Sequence, residues 1–450
     1  MPRRAKALEI GFAALLAATA AQGAATLPNA SEPSVTYDHV TLIDGVAASA
    51  RPDMAIVLRG ERIAGLVPAS TVKAGPNVVD MHGAFALPGL INTHVHLATS
   101  PGLAYPEAIL RRDLYSGITA VRDMAGDTRE LGYLSRATQI GETEGPDIVY
   151  AALMAGPEFF KDPRTVESTR GRVPGETPWM RVVTPVTDLR LAVAEAKGTG
   201  AGAIKIYADL AAPLVAAITA EAHRQHLLVW AHAAVFPASP MEVVDAGADV
   251  VSHACMLGYQ ASRSMPAAYH NRAPVDADRI LRGNPALDAL LADIKRRGTI
   301  LDATLYVYKE LDGTKGAGPP PYCTLKLAQI ITAQAYRAGI PISAGTDGET
   351  GWRDAWPALS DELALLEQAG LSPMDALRAA TAIAARTIGE ERERGTLEKG
   401  KFADIVFLAK NPLDDIANIK SVTMTVKRGK QYPRSAYRPI SRDEARGEDE

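Results

Sequence analysis

Residues 87–97 read LPGLINTHVHL, with Leu, Ile and Val at the density of a buried strand and two histidines, His94 and His96, one residue apart. Side chains two positions apart on a strand share a face, so both imidazoles project to the same side. A lone core histidine is satisfied by a single hydrogen bond. Two on one face are harder to satisfy without a cation, because neutral imidazole is the commonest metal ligand.

The same texture recurs downstream. Apolar, β-rich segments follow at ITAVRDM (118–124), DIVYAAL (147–153), GAIKIYA (202–208), LLVWAH (227–232), DVVSHA (249–254), TILDATLYV (299–307) and IPISAGTD (340–347), making eight with the first. Helical stretches separate several of them, such as ALDALLADIKRRG (286–298) and PMDALRAATAIAARTIG (373–389), often with a Gly placed to cap the helix. This alternation predicts an α/β fold, a (β/α)8 TIM barrel over residues 89–392, whose chemistry sits where strands end. His232, His253 and Asp347 each fall at or beside a strand's C-terminal end, as His94 and His96 do. The remaining histidines, His39, His82, His223, His226 and His270, fall outside the barrel strands and read as ordinary polar residues.

Lys205 in GAIKIYA is out of character for a barrel strand, since a buried cation needs a counter-charge or a shifted pKa. It either pairs with a carboxylate across the barrel or, as a neutral amine, takes up carbon dioxide to give a carbamate able to bridge two metal ions. Tyr207 shares its face and offers a hydroxyl to substrate. Long connections at 154–186, 254–276 and 309–322 are rich in Pro, Gly and charge, and loops of that length are usually functional or disordered. Arg164, Arg170, Arg172 and Arg263 lie in them; each reads as a solvated charge, or one of them as a grip on a substrate carboxylate.

Both chain ends carry short β segments with turn signals, at 34–88 and 393–432. Neither alone has enough strands to bury a face, so they are expected to pair into one small β-sandwich domain. Residues 433–450 read as a solvated polar tail. Residues 1–25 resemble a cleaved signal peptide, with Arg3, Arg4 and Lys6 before an apolar run of 11 residues from Ile10 to Ala20, too short for a membrane span of roughly 20. The expectation is therefore a secreted or periplasmic protein with no stable membrane span. A formal charge of −4 and the absence of a basic block argue against nucleic-acid binding. Cys255 and Cys323 make no disulfide framework and no Cys-rich zinc site; Cys255 reads as a small buried thiol, and pairing of the two stays open.

THVHL, GAIKIY, the strand-end His232 and His253, and GTD at Asp347, in that order, resemble the metal-dependent amidohydrolase superfamily, within it the prolidase-like and imidazolonepropionase-related branch. The resemblance implies two divalent metal ions, zinc by default with manganese or cobalt as alternatives: His94, His96 and Asp347 on one, His232 and His253 on the other, carboxylated Lys205 between. It implies hydrolysis of a peptide-like amide (a dipeptide, Xaa-Pro among them, or an N-acyl or N-aroyl amino acid, toxin-like amides included) by a metal-bridging hydroxide, with Asp347 as proton shuttle. Lactone, ester or phosphotriester hydrolysis at the same site is the alternative within enzymes, and a non-catalytic ligand-binding protein the alternative of another class. Partners are small molecules, and a homo-oligomer is left open.

Overall fold

The eight apolar segments pair in parallel and in chain order in a computed structural model that describes residues 34–271, 273–313 and 321–446. They are β1 (Leu90–Val95), β2 (Ile118–Asp123), β3 (Asp147–Ala155), β4 (Ala203–Ile206), β5 (Leu228–His232), β6 (Val250–Ser252), β7 (Ile300–Asp302) and β8 (Ile342–Ser343). The ring closes between β8 and β1, where Thr93 N donates to Ala344 O at 3.1 Å and Asp347 N donates to His94 O at 3.0 Å. Every residue of β1, β2, β4 and β7 is buried, as strands covered on both faces must be.

Three elements depart from the sequence reading. The segment TILDATLYV is strand only to Asp302. Leu305–Gly313 is a helix, because Glu362 from a neighbouring helix accepts from the backbone N–H groups of Leu305 (3.1 Å) and Tyr306 (2.6 Å) and so caps its first turn. The long helix expected at 373–389 is broken into Pro373–Ala379 and Ala382–Thr387. Its carbonyls at the break serve the barrel instead: Ala380 O accepts from Ile91 N at 2.7 Å and Ala379 O from Ala344 N at 2.9 Å. Within the 154–186 connection, Met180–Val182 adds a short strand to the end of β3.

The two chain ends do pair. Strands Ser34–Leu42, Arg51–Arg59, Arg62–Pro68, Val78–Asp80 and Phe85–Pro88 form one sheet with Ile405–Leu408, Val422–Lys427 and Lys430–Pro433. Phe85–Pro88 is the seam, antiparallel to Ile405–Leu408. Tyr37, Val40, Ile56, Phe407 and Val426 make its separate core. The barrel is fastened to this domain by charge: Asp147, at the start of β3, meets Arg394 (2.5 Å), Lys427 (2.8 Å) and Arg428 (2.9 Å).

The tail is not free of the body up to residue 446. Glu444 pairs with Arg111 (3.0 Å) and Arg438 (2.8 Å), and Ile440 and Ala445 are buried. Cys255 is not a thiol: it is joined to Cys323, with Cα atoms 6.3 Å apart. Residues 1–25 and the centre of the 309–322 connection lie outside the described residues. Among the described residues no helix is long and apolar enough to cross a membrane.

Candidate metal centre and active site

The C-terminal ends of β1, β5, β6 and β8 deliver His94, His96, His232, His253 and Asp347 to one cavity of about 410 Å³. Tyr207, just past β4, lines it as well. Asp347 is the hub. Its Oδ1 lies 3.1 Å from His96 Nε2 and 3.4 Å from His94 Nε2, and its Oδ2 lies 3.7 Å from His253 Nδ1. Donor atoms of His94, His253 and Asp347 all fall within 4.8 Å of one another, close enough to share one cation. His232 stands next to them, its ring 4.7 Å from that of His253.

Backbone strain marks the same place. His253 (φ 74°) and Asp347 (φ 50°) both occupy the left-handed region that non-glycine residues avoid. Gly345 allows the close passage beside them: a Cβ there would collide with the Asp302 carboxylate and with His94.

Beneath the histidines lies a polar layer that the sequence reading missed. Asp302, wholly buried at the end of β7, accepts at Oδ2 from His94 Nδ1 (2.7 Å), Arg122 Nη2 (2.8 Å) and Ser252 Oγ (2.9 Å), and at Oδ1 from Thr93 Oγ1 (2.9 Å). Because the carboxylate can only accept, His94 carries its proton on Nδ1 and turns a bare Nε2 toward Asp347. A carboxylate behind a ligating imidazole in this way fixes both tautomer and ring orientation. Asp123 plays a related part after β2, accepting from Leu97 N (2.6 Å) and Ala125 N (3.0 Å) and so fixing the turn that follows His96. The clue was available: Asp302, Arg122 and Asp123 are charges within or at the ends of apolar strands, the same anomaly as the histidine pair.

Electrostatics favour a metal-ready state. Burial lowers His94 and, to about 3, His253, so both present neutral lone pairs. Burial alone would raise Asp347 and Asp302. The surrounding histidines overcome it at Asp347 and hold that carboxylate far below its usual range; Arg122 and His94 bring Asp302 to about 2. His96, with 32% of its side chain exposed, is the open member, and its hydrogen bond to Asp347 raises it against the effect of burial.

Lys205 answers the question its position raised. It finds no carboxylate partner: the ammonium nitrogen is buried, with no hydrogen bond among the described residues. Burial, and then the nearby Arg122, bring its pKa down to about 7. An orphaned amine under a cluster of imidazoles and a carboxylate is the donor set a divalent cation would complete, so the residues present fit such a group. Of the four loop arginines, Arg164 lines the cavity and Arg170, Arg172 and Arg263 do not.

Residues 85–432 match the Amidohydrolase family. The chain belongs to that family. Among curated relatives, ochratoxinase of Aspergillus niger is 29% identical over 160 residues, which is 33% of this chain and 32% of that one, so the chain matches about a third of that relative's length. Imidazolonepropionase of Symbiobacterium thermophilum is 25% identical over 388 residues, covering 80% of this amidohydrolase and 85% of the relative. Solved structures agree on the fold. A. niger ochratoxinase superposes with a TM-score of 0.70 at 21% identity, over 92% of this chain and 98% of that one. A Xaa-Pro dipeptidase with bound methionine gives 0.69 at 20% identity, over 89% and 100%.

Proposed function

We propose that this amidohydrolase cleaves a peptide-like amide, either a dipeptide or an N-acyl or N-aroyl amino acid. The observation that carries the reading is the convergence of four histidines and Asp347, from four different strands, on one cavity in a chain of this family. The names of the relatives, an ochratoxinase and a Xaa-Pro dipeptidase, support an amide as the bond broken.

His94, His96, His232, His253 and Asp347 would hold two divalent ions, with Lys205 between them as its carbamate. Lys205 is suited to that: the neutral amine attacks carbon dioxide, forms a C–N bond and releases one proton, and the resulting anion removes an unpaired cation from the core. The ions, when bound, supply Lewis acidity that polarises the scissile carbonyl and acidifies a water. Asp347 accepts the proton of the attacking water and delivers it to the departing amine, which cannot leave without it. Asp302 keeps His94 oriented throughout, and Tyr207 offers its hydroxyl to the substrate. We further infer export to an oxidising compartment; the signal-like residues 1–25 and the Cys255–Cys323 disulfide support it.

The test is a metal-supplemented screen of dipeptides, N-acyl amino acids, lactones and phosphotriesters on one preparation. Amide cleavage fastest by at least tenfold is expected. Lactone or phosphotriester turnover with no amide cleavage would overturn the reading.

A further inference from the structure

Two of the long connections over the barrel meet at a covalent bond. Cys255 lies two residues beyond His253, in the turn Ala254–Ala261. Cys323 lies one residue beyond Tyr322, which lines the cavity together with Met256, Val307 and Leu311. Both cysteines are buried, so the bond belongs to the packing behind the cavity wall and is not a surface staple.

The two sides of this bond are held differently. The Cys255 side is tied to the barrel: His253 N donates to Asp302 O at 3.0 Å, Ala254 N to Ala303 O at 3.1 Å, and Met256 N to His253 O at 2.9 Å. Packing there is tight enough that a Cβ on Gly258 would collide with Val275 and Ile280. On the Cys323 side, Tyr322 O accepts from Val275 N at 2.9 Å, and the Tyr322 hydroxyl donates to that of Tyr308 at 3.0 Å. Neither partner belongs to a barrel strand. Tyr259, from the Cys255 side, stacks its ring 6.5 Å from that of Tyr322. Noncovalent contacts of this kind can break one at a time, whereas the disulfide fixes Tyr322 to the frame that carries His253.

The consequence falls on affinity. A wall residue that must be ordered when substrate arrives subtracts its ordering cost from binding, and one already held does not. Breaking the crosslink returns chain freedom to a segment whose ends are 68 residues apart. His253 keeps its own backbone hydrogen bonds to the barrel, so the metal candidates stay in place while the Tyr322 wall loosens.

We propose that the Cys255–Cys323 bond positions the Tyr322 wall of the cavity, so that substrate affinity, and neither turnover nor metal binding, depends on the oxidised state of this pair. This rests on the reading of the cavity as the substrate site, and it holds whichever bond is cut there.

The experiment compares wild type, the double variant Cys255→Ala, Cys323→Ala, the single variant Tyr322→Ala, and all three changes combined. Each is metal-loaded and given the compound that wild type turns over fastest. The cysteine variant should raise KM roughly tenfold, the ordering cost of one or two side chains, with kcat within about twofold and zinc content unchanged. Tyr322→Ala should raise KM by a similar factor, and the combined variant no further, because both changes remove one and the same wall. Backbone hydrogen exchange over residues 321–328 should quicken in the cysteine variant and stay as in wild type over Ala254–Ala261. An unchanged KM, a loss confined to kcat or zinc content, or additive effects in the combined variant overturns the proposal. Should the cysteine variant fail to fold, wild type is reduced with a phosphine: the S–S bond breaks, two thiols form, and phosphorus is oxidised, taking the oxygen of water. KM should rise as two thiols per chain become titratable, and fall again when glutathione disulfide, itself reduced to two glutathione thiols, restores the bond. Two titratable thiols with an unchanged KM overturn the proposal equally. Absence of wild-type turnover on every compound in the screen instead overturns the hydrolase reading, and the exchange comparison then decides the positioning of the wall by itself.

Discussion

Replacing Asp302 by Asn tests the layer beneath the metal candidates with almost no change of shape. The carboxylate is the sole charge partner of Arg122 among the described residues, and both side chains are fully buried. Neutralising it strands a guanidinium that also has Thr93 O as an acceptor and Trp230 as a ring face 4.7 Å away, neither of which carries charge. Removing one member of such a pair costs about 3–5 kcal/mol. It also weakens the acceptor behind His94 Nδ1, and the loss of a carboxylate supporting a ligating histidine lowers metal affinity roughly 10- to 100-fold. Two assays separate the effects: denaturant unfolding of the chelator-treated protein reads the first, and competition with a chromogenic chelator reads the second. Ser252→Ala serves as the scale, since it deletes one neutral donor to the same oxygen and should cost about 1 kcal/mol. If Asp302→Asn unfolds within that scale and binds zinc as wild type does, the Asp302 charge supports neither the barrel nor His94, and the reasoning is refuted.

Asp347→Asn should keep the fold and lose at least roughly 10³-fold in kcat on the best amide, because the proposed mechanism gives this one residue both a ligand's and a proton carrier's part; a retained kcat, measured with metal content confirmed, would remove its proton role. Chelation should abolish turnover, and added zinc, manganese or cobalt should restore it to different extents. The Asp147 cluster gives a pH prediction. Burial would raise this carboxylate, yet Arg394, Lys427 and Arg428 hold it well below the unfolded value of about 3.9. A depressed folded pKa contributes stability that is fully present above the unfolded pKa and lost as pH falls through the folded one. Wild type should therefore lose stability progressively below about pH 4, and Asp147→Asn, already weaker at pH 7, should show a shallower acid limb in its unfolding curve; parallel limbs would count against the assignment.

What the sequence made legible was whatever a short window contains. Eight apolar runs with turn punctuation are enough to imply a barrel, since each run's burial is set by its own residues. His94 and His96 were visible as a pair because a strand's period of two puts both on one face. Asp302 was not, because its meaning lies in Arg122, 180 residues away, and in His94, 208 away; within TILDATLYV it is one carboxylate among β-branched neighbours. The helix at Leu305–Gly313 failed for the same reason, being started by Glu362, 57 residues on.

These distant dependences are arranged in depth, and that arrangement bears on how the site works. Arg122 lies against Trp230 and pairs with Asp302, Asp302 also takes Ser252 and His94, and His94 lines the cavity together with His96, His232, His253, Asp347 and Tyr207. Charge alternates up this stack: cation at Arg122, anion at Asp302, neutral donors at His94 and His253, anion at Asp347. Lys205 is the one break in the alternation, an amine near the Arg122 cation with no hydrogen-bond acceptor among the described residues. Conversion to a carbamate would restore the order by placing an anion between Arg122 and the histidines. The prediction that follows is measurable apart from turnover: protein prepared under ¹³C-labelled bicarbonate with zinc should carry one carbamate carbon per chain by NMR, and Lys205→Ala should carry none. A Lys205→Ala protein with an unchanged carbamate signal would place the modification elsewhere and leave the break unexplained.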